Sequence, residues 1–328
     1  MESTVKLQLP WSVELQKTIK TLSRPNTAVA VYHLLEIWGV IALAWYCSAF
    51  IWPITSGAIG VVVYLVAIAI LASRQHALMV LTHDGIHKRL SRTVGFNDSL
   101  ARYVAAFPIF ISLAKWRFIH LDHHRSTYTA DDPDRAIYAR YPLVKRKFLR
   151  LLLRDICGFN VLSTLKYFID IPLITPEFNR RFLGEARVVQ YRQVTDMRAF
   201  ALFWSVVIMT GLIHGGRDAA VGFGLYWLVP YCTFTQIFFR IRGAIEHGNV
   251  PDPRNIYRQT RTYFLPSALG FFFAPKKVNY HLEHHLYPSV PFFHLPRLHA
   301  VLRQKVYPVE TAYCETFSES LRRLVQKK

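Results

Sequence analysis

Residues 37–73 read IWGVIALAWYCSAFIWPITSGAIGVVVYLVAIAILAS, without one charged side chain. A membrane-spanning helix needs about 20 predominantly apolar residues, and this run is long enough for two. Pro53 and Gly57, in the string PITSG, supply the break between them, because proline lacks a backbone N–H and clashes with the preceding turn of a helix. The run therefore predicts a hairpin of two spans, roughly 30–52 and 57–79. The pattern recurs downstream: Ala199–Gly216 is uncharged, Arg217 and Asp218 interrupt it, and Ala219–Phe239 is uncharged again. These give spans at 199–216 and 219–239. The expected fold is an all-α integral membrane protein of four transmembrane helices in two hairpins, with 1–328 forming one domain.

Two further uncharged stretches, Tyr103–Ala114 and Tyr263–Pro275, are too short to span. They read as re-entrant or interfacial pieces or as buried core helices. The segment 116–198 holds 15 Lys/Arg against 9 Asp/Glu, and 241–328 holds 13 against 6, whereas the two inter-span turns contain one basic residue, Arg217. The excess of Lys and Arg on cytoplasmic loops places 80–198 and 240–328 in the cytoplasm as a helical cap, together with both termini.

Composition agrees. Of 328 residues, 52% are hydrophobic, 14% aromatic and 19% charged, the mean hydropathy is +0.18 and the net charge +19. Disorder needs low hydrophobicity and is excluded. Four cysteines far apart without a CxxC exclude a disulfide framework. The positive charge is accounted for by topology and lipid headgroups, so no nucleic-acid partner is expected. No leader with a cleavage site is evident, and no internal repeat or low-complexity tract is present.

Eight of the 14 histidines fall into three clusters: His83-Asp-Gly-Ile-His87, His120-Leu-Asp-His123-His124 and His281-Leu-Glu-His284-His285. On a helix, i, i+3 and i+4 share a face, so each cluster aims its imidazoles one way. Independent-frequency counting puts a chance HxxHH at roughly 0.03 per chain of this kind, and the full set at roughly one in several thousand. All three clusters fall on the predicted cytoplasmic side, one directly after the second span and two after the short apolar stretches. Eight imidazoles exceed what one zinc takes, and HExxH is absent. Two metals with four or five nitrogen ligands each fit the count; imidazole suits iron, copper and zinc alike. Asp84, Asp122 and Glu283 sit beside these histidines. They are candidates to orient them, since metal-binding histidines donate their other N–H to a carboxylate or carbonyl.

With the boxes HDGIH, HLDHH and HLEHH in hand, the chain resembles the membrane fatty acid desaturase and hydroxylase superfamily. The flanking strings RQHALMVLTHDGIH, HHRSTYTADDPD and NYHLEHHLYPSVPFFHLP are similar to bacterial acyl-lipid members, and the likeness covers roughly 60–300. The resemblance implies two non-haem iron ions, O2 as co-substrate, and two electrons used to desaturate an acyl chain of a membrane lipid. It leaves open hydroxylation or ketolation of a lipid, sterol or carotenoid. The first box has three intervening residues, unlike the stearoyl-CoA type. The third box begins with His281, where front-end desaturases often carry Gln. The second box is HxxHH, where carotenoid ketolases usually have HxxxHH. No haem-binding HPGG is present, so an external donor such as ferredoxin or cytochrome b5 is implied, and an acidic one suits the basic cap. The resemblance also implies a ninth ligand, His247, preceded by Glu246 as a further orienting acid; catalysis then needs no residue beyond the metal ligands. A metal-binding or transport protein is the other class. It would place ionisable groups at the bilayer midplane, whereas these clusters lie outside the spans.

Weaker signals remain. His76, seven residues before His83, is a candidate for lining a substrate tunnel or an interfacial polar residue. Asp131-Asp132-Pro133-Asp134 reads as a turn. His214 falls in the outer turn and is not expected to bind metal. His33 and Glu36 are expected to snorkel to the end of the first span, and His294 and His299 to belong to the cap. The terminal Lys327-Lys328 is a poor dilysine signal, leaving the organelle open.

Overall fold

The computed structural model describes residues 12–51, 57–170, 195–307 and 314–326; most of the first expected turn, 52–56, lies outside them. The chain is mostly helical. Thr27–Ile51 and Ala58–Ile86 are long apolar helices, and a third apolar helical stretch runs over Met197–His247. The first two run antiparallel. Arg74 meets Glu36 at one end, while Ser48 and Tyr64 both meet Tyr226 at the other. Ala58–Ile86 has 29 residues, about 43 Å at 1.5 Å per residue. That exceeds the roughly 30 Å hydrocarbon core, so the helix continues past the expected span end and carries His83 in its last turn.

The third stretch has 51 residues, about 77 Å if straight, far more than one crossing. It is not straight. Gly216 adopts φ 50, ψ −129, a conformation that glycine reaches without steric cost. The rings of Trp204 and Phe223, on either side of it, lie 5.7 Å apart, so the chain doubles back there. No residue of Met197–Phe223 is buried, and Leu202, Val206, Ile208, Met209 and Ile213 are all exposed. Contiguous apolar exposure on this scale marks a surface made for an apolar neighbour.

The expected re-entrant piece at 103–114 is a bent pair. Val94–Ile109 and Leu113–Ser126 meet at 98°, with a left-handed residue, Phe110, at the corner. Bending a helix frees carbonyls that cannot be left bare in an apolar setting. Three indoles bind carbonyls of the bend: Trp38 Nε1 donates to Val104 O (3.0 Å), Trp204 Nε1 to Phe107 O (3.1 Å), which also accepts from Phe110 N, and Trp227 Nε1 to Pro108 O (2.8 Å). Ala105, Phe107, Ile109 and Ile111 then sit at the centre of the largest apolar core.

The mostly helical fold agrees with the all-α expectation, and short strands accompany it. Two small parallel sheets are present, Leu143–Val144 with Val325–Gln326 and Thr262–Phe264 with Cys314–Thr316. The second fixes the start of the other short apolar stretch; its helix is only Ser267–Phe273. Thr-Tyr-Phe is a β-branched and aromatic string that suits a pleated surface, and its apolarity alone does not distinguish strand from helix.

Candidate metal centre

Four helix ends converge below the apolar core. His83 lies in the last turn of Ala58–Ile86 and His87 caps it. His120, His123 and His124 share one side of Leu113–Ser126, His247 ends Phe234–His247, and His281, His284 and His285 fill the short helix His281–Leu286.

Each approach is fixed locally. The last carbonyls of the first-box helix are capped by Arg117 Nη2 and Asn97 Nδ2 on Gly85 O (3.0 and 2.9 Å) and by Arg117 Nε on Ile86 O (3.2 Å). Asp98 joins this cap to the next element, accepting from Lys88 Nζ (2.7 Å) and Arg117 Nη2 (2.8 Å). Ser112 caps the second-box helix, its Oγ accepting from Lys115 N at 3.1 Å. Such an N-cap contributes about 1 kcal/mol. The helix Ser267–Phe273, which precedes the third box, is tied to Ala58–Ile86: Ser73 Oγ and Arg74 Nη2 donate to Phe271 O (2.5 and 2.9 Å), and His76 Nδ1 lies 3.0 Å from Phe272 O.

The imidazoles form two adjoining nests. In the first, His83, His87, His120, His124 and His284 bring one ring nitrogen each within 4.8 Å of one another. The Nε2 pairs His87–His120, His120–His124 and His124–His284 are all at 3.0 Å. In the second, His123, His247 and His285 do the same, and His281 Nε2 lies 2.8 Å from His247 Nε2. The His124 and His285 rings stack at 4.3 Å across the boundary. All nine nominated histidines are thus brought together.

Nε2 atoms packed against Nε2 atoms in a buried place leave lone pairs with nothing to accept; the Nε2 atoms of His83 and His285 have no hydrogen-bond partner. A cation is what such a donor set fits. Burial, reinforced by neighbouring imidazoles, holds His281, His284 and His285 well below the ordinary histidine pKa, which keeps them neutral, the form that binds a metal. His123 is the exception. Burial pulls it down, but the Asp132 carboxylate outweighs this and leaves it raised.

Three of the acids nominated by sequence adjacency make their hydrogen bonds to groups other than the nine nominated histidines. Asp84 accepts from Phe292 N (2.8 Å). Glu246 pairs with Arg242 (2.7 Å) and reaches only 3.7 Å from His281 Nδ1. Glu283 accepts from Thr262, His299 (2.6 Å) and Tyr307 (2.9 Å). Asp122 stands 3.4 Å from Arg125. The reason is geometric: consecutive residues on a helix point about 100° apart and do not face each other. The acid that does meet a box histidine is Asp132, whose Oδ1 lies 2.8 Å from His123 Nδ1. It sits in the DDPD string read above as a turn. The turn is real, since Asp134 N donates to Asp132 Oδ1 (2.9 Å), and it is what aims the carboxylate. Its proximity to HLDHH was the available signal.

A cavity of about 320 Å³ adjoins the histidines, with His83, His120, His123 and His247 at its inner end and Met79, Trp116, Phe168 and Phe239 along its wall. His76 does not line it. That ring is buried beside Phe238 and Phe239 and clamps the Phe272 carbonyl. His33 and Glu36 do not snorkel freely either: Glu36 binds Arg74 and Lys276, and Lys276 Nζ lies 3.1 Å from His33 Nδ1. His214 is exposed two residues before the Gly216 turn, outside both nests. His299 is held by Glu283, and the His294 ring lies tilted against Phe293 with centroids 4.6 Å apart.

The sequence profile of the fatty acid desaturase family matches residues 59–317, which include all nine histidines. This chain is a member of the fatty acid desaturase family. It is 26% identical over 312 residues to a dihydrorhizobitoxine desaturase of Bradyrhizobium elkanii, covering 90% of this chain and 80% of that one. It is 24% identical over 319 residues to an sn-1 oleoyl-lipid 12-desaturase of Picosynechococcus sp. (90% and 80% covered), and 23% identical to the enzyme so named from Synechocystis sp. (90% and 77%). As a desaturase-family oxidoreductase with several helices able to span a membrane, the chain carries histidine clusters suited to the metal that the family implies.

Proposed function

We propose that this desaturase-family member introduces a double bond into an acyl chain of a membrane lipid, using O2 and two electrons at a pair of iron ions. The observation that carries the reading is the adjoining pair of histidine nests at the end of a largely apolar-walled cavity. His83, His87, His120, His124 and His284 would hold one ion, and His123, His247, His281 and His285 the other. Bound iron supplies the activation of O2 and the oxidation of an unactivated C–H bond.

The chain's own residues do the rest. Asp132 accepts a hydrogen bond from His123 Nδ1–H and so turns its Nε2 inward. Trp116 and Phe168, packed edge to face at 5.2 Å, exclude water from the place where an acyl carbon would lie. In this reading 30–52 with 57–79, and 199–216 with 219–239, cross the membrane as two hairpins. The histidine-bearing cap 80–198 and 240–328 and both termini face the cytoplasm, where an external ferredoxin-like or cytochrome b5-like donor delivers electrons. The chain is one domain.

The test is expression in a host of known lipid content, followed by lipid mass spectrometry and iron analysis of the purified protein. A product two mass units lighter than its precursor is expected. A gain of sixteen means hydroxylation, and no iron or no product overturns the reading. Reporters inserted near Lys145 and after Lys328 should both lie in the cytoplasm, and one in 53–57 on the opposite side.

A further inference from the structure

The cavity beside the histidines is lined at the surface by the exposed residues Ala136, Ile137, Arg140 and Ser163. The helix Lys145–Ile156, KRKFLRLLLRDI, stands beside it, because its Asp155 pairs with Arg240 of the cavity wall and its Phe148 packs on Tyr141. At about 100° per residue this helix divides into three sectors. Phe148 and Asp155 face inward and are buried. Arg146, Lys147, Arg150 and Arg154 form a basic stripe on the far side. Leu149 and Leu153 fill the flank between, and Leu153 is 62% exposed. Phe159 (70% exposed) and Leu162, next along the chain, extend that apolar flank towards Ser163.

None of Arg146, Lys147, Arg150 and Arg154 pairs with a carboxylate among the described residues. Arg140, exposed at the mouth itself, donates only to the main-chain Ala136 O (3.2 and 3.0 Å). Apolar side chains laid against a basic stripe on one short helix are the pattern of a helix lying in a bilayer interface, and each cation near an anionic lipid surface favours contact several-fold.

We propose that the cavity opens sideways into the bilayer interface beside Lys145–Ile156, and that it takes its acyl chain from an anionic phospholipid whose headgroup rests on Arg140 and the basic stripe. This deepens the substrate assignment above and rests on it for the statement that the cavity holds the acyl chain. A soluble acyl thioester offers the same phosphate chemistry. The exposed leucines and Phe159 around the mouth favour the bilayer source, because a soluble carrier gives them nothing to contact.

The full-length protein, with its four native cysteines replaced by alanine, is reconstituted in nanodiscs of equal phosphatidylglycerol and phosphatidylcholine. Spin labels are placed singly at Leu153→Cys, Leu162→Cys and Arg150→Cys. The first two should relax with oxygen and the third with a water-soluble nickel chelate; aqueous readings at 153 and 162 overturn the proposal. Phosphatidylglycerol should co-purify at least threefold over phosphatidylcholine. Arg140→Gln should bring the ratio towards one and Arg140→Lys should preserve it, while an unchanged ratio in Arg140→Gln overturns the headgroup role. Palmitoyl-CoA and phospholipid are then offered as substrates, and product from the thioester alone also overturns it. Label depth and lipid retention need neither metal nor turnover. Expected depths with no product therefore defeat the desaturase reading and leave the port standing, and phospholipid product with aqueous labels does the reverse.

Discussion

Asp132 Oδ1 accepts a hydrogen bond from His123 Nδ1 at 2.8 Å, and the same carboxylate accepts from Tyr128 N (3.0 Å) and the Tyr138 hydroxyl. A buried histidine is thereby fixed in tautomer and rotation by an acid nine residues further on. Loss of such a partner typically lowers metal affinity 10- to 100-fold. Asp132→Asn should weaken iron binding by about that factor in chelator competition, whereas Asp84→Asn, whose carboxylate holds Phe292 N, should not. Equal affinity in Asp132→Asn and the wild-type protein would remove the orienting role.

Of the nine clustered histidines, His247 is the one outside the three boxes. Its Nε2 lies 2.8 Å from that of His281 and 3.3 Å from that of His123. His247→Ala is expected to lose iron or turnover with helix content retained, and His214→Ala to behave as wild type. Two irons per chain and full activity in His247→Ala would exclude it as a ligand.

Gly85 stands between the two histidines of the first box. A Cβ there would lie 2.3 Å from Ala101 Cβ. Alanine gains up to about 1 kcal/mol of helix propensity over glycine, but overpacking costs about 1–3 kcal/mol, so the substitution is expected to destabilise. Gly85→Ala should lower the melting temperature and the iron content together, and Gly85→Val should do so more strongly. A raised melting temperature with intact iron would contradict the close approach of these helices.

Burial raises the Asp98 carboxyl, but hydrogen bonds from Arg117 and Lys88 outweigh this and hold its pKa at about 2. That is below the value near 3.9 of an unfolded aspartate, so its contribution is complete above about pH 4 and is lost as pH falls through about 2. Partial exposure screens the pair, and the effect is small. Asp98→Asn should melt lower than wild type at pH 7, and the gap should close between pH 4 and pH 2. A gap independent of pH would mean that charge is not the cause.

Turnover with an acidic electron carrier should fall as ionic strength rises from about 20 to 300 mM, because 116–198 and 241–328 are strongly basic and complementary charge steers encounter. The slope should appear in kcat/KM for the carrier and not in kcat. A flat salt profile would point to an uncharged docking surface.

The apolar runs and histidine spacings were legible in the sequence because each depends on a local period. Uncharged stretches of 20 residues and i, i+3, i+4 clusters need no knowledge of the partner. The gathering of the three boxes, expected from their places after apolar segments, is present in the two histidine nests. What could not be read was direction. Asp84, Glu246 and Glu283 are adjacent to clustered histidines in the chain and make their hydrogen bonds elsewhere, whereas Asp132 meets His123 through the turn that follows Leu113–Ser126. His76 lies at the right depth for a tunnel and is consumed by a carbonyl. The strand Thr262–Phe264 finds its partner Cys314–Thr316 some fifty residues on, a pairing that no window of local pattern contains.

The three indoles that close the bend at 104–108 also set an order of assembly. Trp38 is made before the bend, but Trp204 and Trp227 are made about a hundred residues after it. Until the second pair of apolar segments arrives, Phe107 O has Phe110 N alone and Pro108 O lacks its indole. A nascent chain stopped near residue 198 would thus carry an under-satisfied bend. Such a fragment should be held by the insertion apparatus and degraded, while the later half, supplied in trans as a separate polypeptide, should rescue it.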